Sequence, residues 1–142
     1  MTGSAAVQII RLPRVEDVRG NLSFVEGMRH VPFTIRRAYW IYDVPGGEAR
    51  GGHANRTLDE FLIALSGSFD VRLDAGDGER VMPLNRSYLG LLVPRMTWRR
   101  LENFSTNAVC LTLASAEFDE SDYIREHDQF AREVARDPGG GR

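Results

Sequence analysis

No lysine occurs in this 142-residue chain; all 18 of its Lys-plus-Arg cations are arginines. Schiff-base chemistry and a lysine general base are therefore excluded, because both need a primary amine that can lose its proton. Cysteine is almost as scarce. Cys110 stands alone in an apolar run, so there is no disulfide framework and no paired-thiol motif, and it reads as a small core residue. Long apolar runs are missing as well. No window approaches the ~20 residues that a helix needs to cross a bilayer, and Met1 to Ile10 lacks the basic start and apolar stretch of a secretory leader. A soluble cytoplasmic protein that engages no membrane is the expectation. Neither sign of charge dominates: 18 basic against 20 acidic residues leave a net charge of −2, which offers no broad field to a nucleic acid or an anionic surface. The length suits one domain with a sizeable core and is short for two.

Between Leu22 and Ser115, short apolar runs alternate with turn residues, the pattern of an all-β sandwich or barrel. Phe33 to Tyr42 is aromatic and β-branched and reads as one long strand ending at Pro45-Gly46-Gly47, with Tyr39 and Tyr42 expected on one face and Trp40 on the other. Phe61 to Leu65, then Phe69, Val71 and Leu73 after Gly67, predict a hairpin, and Leu89 to Val93 and Ala108 to Ala114 are two further buried segments. After Phe118 the period changes. Asp119 and Ser121 can cap a helix whose apolar face would be Tyr123, Ile124, His127, Phe130, Ala131 and Val134. These readings give a single domain over residues 1–137, a β-barrel with one helix packed outside, and a flexible tail over 138–142.

The three histidines differ in setting. His30 precedes Val31-Pro32 in a loop and reads as a surface residue, and His127 reads as a packing residue of the terminal helix. His53 follows a glycine pair, which permits close approach of a ligand. Glu60 begins the strand Phe61-Leu62-Ile63, and a carboxylate buried there needs a partner such as Arg99 or Arg50. Arg19, in the polar segment Asp17 to Leu22, could bind a phosphate bidentately. No glycine-rich phosphate loop is present, so any pyrophosphate must be held by arginines and backbone amides.

The spacing Gly47, His53, Glu60, Gly67 is similar to the first metal-binding motif of the cupin barrels, with Asn55 where that motif has its second histidine. Pro94 to Arg99 with Asn103 is similar to the second motif, with Arg99 in place of its last histidine. Only His53 and Glu60 remain of four ligands, and Arg99 would repel a cation, so neither a metal nor another cofactor is expected. Five blocks extend the likeness. They are Arg19-Gly20-Asn21-Leu22 with Glu26, Val31 to Tyr42, Arg50 to Ala54, Trp98 through Asn103-Phe104-Ser105, and Leu113-Ala114-Ser115 to Asp122-Tyr123-Ile124-Arg125. Together they resemble the WxcM-like, FdtA/QdtA-type sugar-nucleotide 3,4-ketoisomerases of the cupin superfamily, from about Arg19 to Phe130.

The resemblance implies a metal-free, homodimeric cupin jelly roll. It further implies the conversion of a thymidine-diphosphate-linked 4-keto-6-deoxyhexose to its 3-keto isomer, a step toward amino sugars of surface polysaccharides or antibiotics. Carried over by residue, it makes His53 the base and Tyr39 and Asn55 its catalytic neighbours. Arg19 and Arg50 would lie near the nucleotide, and Glu60, Trp98 and Arg99 would contact substrate. The family usually has histidine at position 55, glutamine at 60 and often histidine at 99. The reaction asks for a base to take the C3 proton, a donor for the enediolate oxygen, and shelter from water. Tyr39, Asn55 or Arg99 could serve that oxygen. With Asn55 present, His53 could both take and return the proton, or a water or Glu60 could assist. The alternatives are a sugar-nucleotide-binding cupin without activity and an epimerase or dehydratase acting on a related keto sugar; a metal-dependent dioxygenase is more remote.

Overall fold

The structure is a computed structural model that describes residues 6–137; the expected flexible tail lies outside the described residues. The first strands are β1 (Gln8–Arg11), β2 (Arg14–Val15), β3 (Leu22–Ser23), β4 (Arg37–Ile41), β5 (Arg50–Asn55) and β6 (Glu60–Ser66). They are followed by β7 (Phe69–Asp74), β8 (Glu79–Leu84), β9 (Leu89–Val93), β10 (Trp98–Glu102), β11 (Val109–Ala114) and β12 (Tyr123–Ile124), and then by the helix α1 (His127–Ala135). Ten strands form two five-stranded sheets, ordered β1-β9-β6-β11-β4 and β12-β5-β10-β7-β8, while β2 and β3 pair separately. The paired strands are antiparallel throughout. The expected all-β barrel with one C-terminal helix is the observed architecture.

The two-residue period of each strand decides what the barrel contains. Leu62 and Ala64 of β6, Phe69, Val71 and Leu73 of β7, Leu91 and Val93 of β9, Leu101 of β10 and Cys110 of β11 form one buried cluster between the sheets. Toward one end of the barrel the same inward rows become polar. Glu60 continues the row of Leu62, Thr112 that of Cys110, and Arg99 that of Leu101, and all three are buried. The fold thus divides its interior into an apolar plug and a polar chamber. A second cluster covers the outside of the first sheet, where Leu12, Val31 and Phe33 pack on Phe61, Ile63, Leu92 and Leu113. A Cβ at Gly90 would fall inside the Phe61 ring, so that glycine is fixed by packing.

Three local expectations are corrected. The strand read as Phe33 to Tyr42 is regular only over Arg37–Ile41, because Phe33 is drawn onto the outer face of the sheet. Tyr42 joins Trp40, not Tyr39: both are 59% exposed and line the same external groove, as the pleat requires of residues two apart. Tyr123 and Ile124 are not helical. Asp119 does cap through Ser121 N, but only a single 3-10 turn, Glu120–Asp122. Asp122 then accepts hydrogen bonds from the Thr57 and Leu58 backbone and from Thr57 Oγ1, and this docking delivers Tyr123 and Ile124 to the edge of β5, opposite Asn55 and Ala54. The helix starts at His127 and buries Phe130 and Val134, four residues apart.

Candidate active site

β5 carries one extra residue at the mouth of the polar chamber. Arg99 of β10 pairs with His53, whereas Leu101 pairs with Arg50, so three steps of β5 match two of β10. Gly51 absorbs the bulge with φ +78°, a conformation that side chains disfavour.

His53 is 7% exposed, and its Nε2 is buried without a hydrogen-bond partner. Its ring rests 4.8 Å from that of Tyr123. Burial, then the charges of Arg99 and Arg125, lower its pKa to about 3, so the imidazole is neutral at working pH and has a lone pair to offer. Asn55, two residues further along the inward row, is fully buried, and neither end of its amide is paired.

Beneath the histidine lies a closed network. Tyr39 donates to Glu60 Oε2 at 2.8 Å, and Arg99 Nη1 donates to Glu60 Oε1. Arg99 Nε and Nη2 donate to the Thr97 carbonyl at 3.3 and 3.2 Å. Glu60 and Arg99 are 1% and 2% exposed, and two charges so deeply buried persist only when paired and hydrogen-bonded. Of the two arginines weighed as partners for Glu60, Arg99 is the one observed. Burial and the charge of Glu60 push the Tyr39 phenol far above its ordinary range, so Tyr39 keeps its proton.

Above this network opens a cleft of about 560 Å³, lined by Arg37, Tyr39, Trp40, Ile41, Arg50, Gly51, Gly52, His53, Phe118, Tyr123 and Arg125. Its walls are arginine and aromatic, with no carboxylate, which favours an anion carrying flat rings. Arg125 lies 4.5 Å over the Tyr123 ring and pairs with Glu120. Arg37 lies 5.0 Å over the ring of Tyr39 and 5.5 Å over that of Phe118. Among the described residues no group of three His, Cys, Asp or Glu side chains could hold a metal ion.

Of the residues singled out in the sequence, His53, Tyr39 and Arg50 line the cleft, and Asn55, Glu60 and Arg99 are buried in the chamber. Arg19 and Trp98 join neither. Arg19 sits between β2 and β3, forked onto Asp17 through Nε and Nη2, each at 2.9 Å. Those bonds hold the Asp17 carboxyl down at about 2. Trp98 precedes the inward Arg99, so the pleat turns it outward against His127 and Phe130. His127 and His30 are accounted for locally. The first contacts Asp74 Oδ2 at 3.1 Å, and the second accepts from Glu26 N at 2.8 Å. Sequence reasoning assigned no part in the site to Arg37, Phe118, Tyr123 or Arg125. Arg37 was readable as the inward neighbour of Tyr39 at two-residue spacing, whereas Tyr123 and Arg125 were hidden by an apparent helical period.

Residues 5–135 match the family described as FdtA, WxcM-like, C-terminal. A curated TDP-4-oxo-6-deoxy-alpha-D-glucose-3,4-oxoisomerase of Aneurinibacillus thermoaerophilus is 37% identical over 129 residues, covering 91% of this chain and 93% of that one. The crystal structure of a 3,4-ketoisomerase from Helicobacter canadensis superposes with a TM-score of 0.89 at 37% identity, over 92% of this chain and 98% of that one. A histidine-to-asparagine variant of the 3,4-ketoisomerase QdtA from Thermoanaerobacterium thermosaccharolyticum, in complex with TDP-4-keto-6-deoxyglucose, gives 0.89 at 35% identity, over 92% and 94%.

Proposed function

The chain belongs to the family described as FdtA, WxcM-like, C-terminal, and we infer that it is a 3,4-ketoisomerase moving the ketone of a thymidine-diphosphate-linked 4-keto-6-deoxyhexose from C4 to C3. The observation that carries this reading is a neutral His53, its Nε2 without a hydrogen-bond partner, in a cleft walled by arginines and aromatic rings. The arginines suit a diphosphate, the rings suit a sugar and a base, and the imidazole suits a proton acidified by a neighbouring ketone.

His53 takes the proton from C3, and the electrons of that bond form the C3–C4 double bond of an enediolate. Return of the proton to C4, with loss of the hydroxyl proton from O3 and its gain at O4, leaves the ketone at C3. Arg125 links binding to this chemistry. Its charge is among the causes, after burial and Arg99, that hold the His53 pKa down, and a diphosphate beside Arg125 would offset that part of the shift. No metal enters this scheme, because Glu60 is committed to Arg99 and Tyr39 and a lone imidazole does not make a metal site.

A homodimer belongs to the same proposal. Trp40, Tyr42, Leu65, Val109 and Leu111 line an apolar groove of about 630 Å³ on the outer sheet face, and Val15 and Leu22 are exposed on the β2–β3 hairpin. Such surfaces favour a covering partner, and Arg19, on that hairpin, lines no wall of this chain's own cleft. A cytoplasmic site is retained as well, since a charged nucleotide sugar does not cross a bilayer unaided.

The reading is tested by incubating the protein with TDP-4-keto-6-deoxyglucose in deuterated water. The expected result is a 3-keto product, with deuterium at C4 to the extent that the proton held by His53 exchanges with solvent before its return. Deuterium at C3 without a moved ketone would favour an epimerase, and neither a moved ketone nor exchange would favour a binding protein.

A further inference from the structure

A proton taken from carbon beside a ketone leaves negative charge on the ketone oxygen, and an enzyme must meet that charge with a donor already in place. The three groups best suited by sequence to this task are otherwise engaged or withdrawn. Tyr39 spends its proton on Glu60. Arg99 is spent on Glu60 and the Thr97 carbonyl at 2% exposure. Asn55 is fully buried and does not line the cleft.

Of the three arginines on the cleft wall, Arg37 is the one that is partly buried, and it is left with hydrogen-bonding capacity. Arg37 opens β4 on the inward row of Tyr39 and lines the cleft together with His53. It makes no salt bridge among the described residues, and its Nε is buried without a hydrogen-bond partner. Its guanidinium is held in place by the Tyr39 and Phe118 rings. A guanidinium keeps its charge in a protein, and a partly buried donor with no acceptor is unfavourable unless a ligand supplies one. The cleft's other arginines are less suited. Arg125 is half-exposed and forked onto Glu120, and Arg50 is exposed at the start of β5.

We propose that Arg37 is a catalytic residue: its guanidinium binds the C4 ketone oxygen of the substrate and carries the charge that develops there as the enediolate forms. The proposal rests on the isomerase reading and adds the group that reading lacks. It also gives Tyr39 a complementary part. With its hydrogen turned to Glu60, Tyr39 Oη can only accept toward the cleft, so it receives the substrate hydroxyl on C3 while Arg37 donates to the ketone on C4. The pair thus distinguishes the two oxygens that the reaction exchanges.

The test compares wild type with Arg37→Met and Arg37→Lys for turnover of TDP-4-keto-6-deoxyglucose and for TDP binding by calorimetry. Arg37→Met should lose about a hundredfold to a thousandfold in kcat while TDP affinity stays within about threefold, which also certifies the fold. Arg37→Lys should recover about tenfold over Arg37→Met, since the charge survives while the fork does not. Unchanged kcat in Arg37→Met overturns the proposal. So does a fall in TDP affinity in both variants with kcat retained, which would make Arg37 a diphosphate ligand. If Arg37→Met does not fold, wild-type kcat in Arg37→Lys overturns it, and a reduced kcat at unchanged TDP affinity supports it. Wild type that binds TDP but turns over no keto sugar would instead sink the isomerase reading itself.

Discussion

Tyr39 reaches from the first sheet to give its phenolic hydrogen to Glu60 Oε2 at 2.8 Å, while Arg99 of the facing sheet takes the other oxygen of the same carboxylate. Glu60 therefore ties the two sheets together through the floor of the chamber. It also settles which way the Tyr39 hydroxyl points, and it balances a guanidinium that water does not reach.

Glu60→Gln should expose this dependence. The amide is nearly isosteric but leaves Arg99 as an uncompensated buried charge, which costs about 3–5 kcal/mol in comparable settings. Urea denaturation followed by tryptophan fluorescence should show a lower midpoint at an unchanged slope. The double variant Glu60→Gln with Arg99→Gln should be less destabilised than the sum of the two single changes, because the orphaned charge is gone. Additive losses would mean that the ion pair contributes no coupling.

The pH dependence of stability should carry the signature of His53. Its folded pKa lies near 3 through burial and the charges of Arg99 and Arg125, below the ~6.5 of an exposed histidine. Between these values the unfolded chain binds the proton and the folded chain does not. Stability is thus complete above about pH 6.5 and is lost as the pH falls toward 3. At pH 5 the loss from this group is about 2 kcal/mol, from ~1.4 kcal/mol per pH unit. The measurement is the difference between wild type and His53→Asn, which removes the contribution of other groups. Parallel stability curves for the two proteins from pH 7 to 5 would refute it.

How much of this was legible depends on which residues answer to local pattern. The alternation in Phe69, Val71 and Leu73 and the apolar runs of β6, β9 and β11 correctly announce strands, because their period is set by the pleat alone. The Glu60 pairing could be anticipated, since a carboxylate in an apolar strand demands a cation. Tyr123 and Arg125 could not be placed. The spacing of Tyr123 to Phe130 and Val134 imitates a helix that would carry Arg125 with it, and what overrides it is a distant event, the docking of Asp122 on Thr57 and Leu58. Trp98 was misplaced for a simpler reason. A motif match fixes position along the strand, and the face follows only once Arg99 is known to point inward.

The exposed apolar groove predicts an association equilibrium. Trp40 and Tyr42 are each 59% exposed and Leu65 is 49% exposed, more apolar surface than an isolated barrel needs to show water. Light scattering at micromolar concentration should give twice the chain mass of 16.0 kDa. Trp40→Asp should shift the population to monomer by burying a charge at the contact. A monomeric wild type would refute the dimer.

The sharpest prediction concerns His53 and its neighbour on the same inward row. His53→Asn replaces the imidazole with an amide of similar reach, so the chamber need not repack, but the group proposed to accept the C3 proton is gone. Turnover should fall about a hundredfold to ten-thousandfold, the usual loss of a general base, while TDP affinity is retained. That a histidine-to-asparagine variant of a related ketoisomerase holds its keto sugar in a crystal makes this separation of binding from chemistry reasonable to expect. Asn55→His then asks the converse question. Asn55 is fully buried two residues along the inward row from His53, so a titrating ring there would act on the substrate by passing its proton through His53. The expected outcome is a higher rate or an altered C4 configuration of the product, read by NMR of the isomerised sugar. Wild-type turnover in His53→Asn would remove His53 from the mechanism. Activity that appears only in Asn55→His would mark the natural chain as a binder of nucleotide sugars.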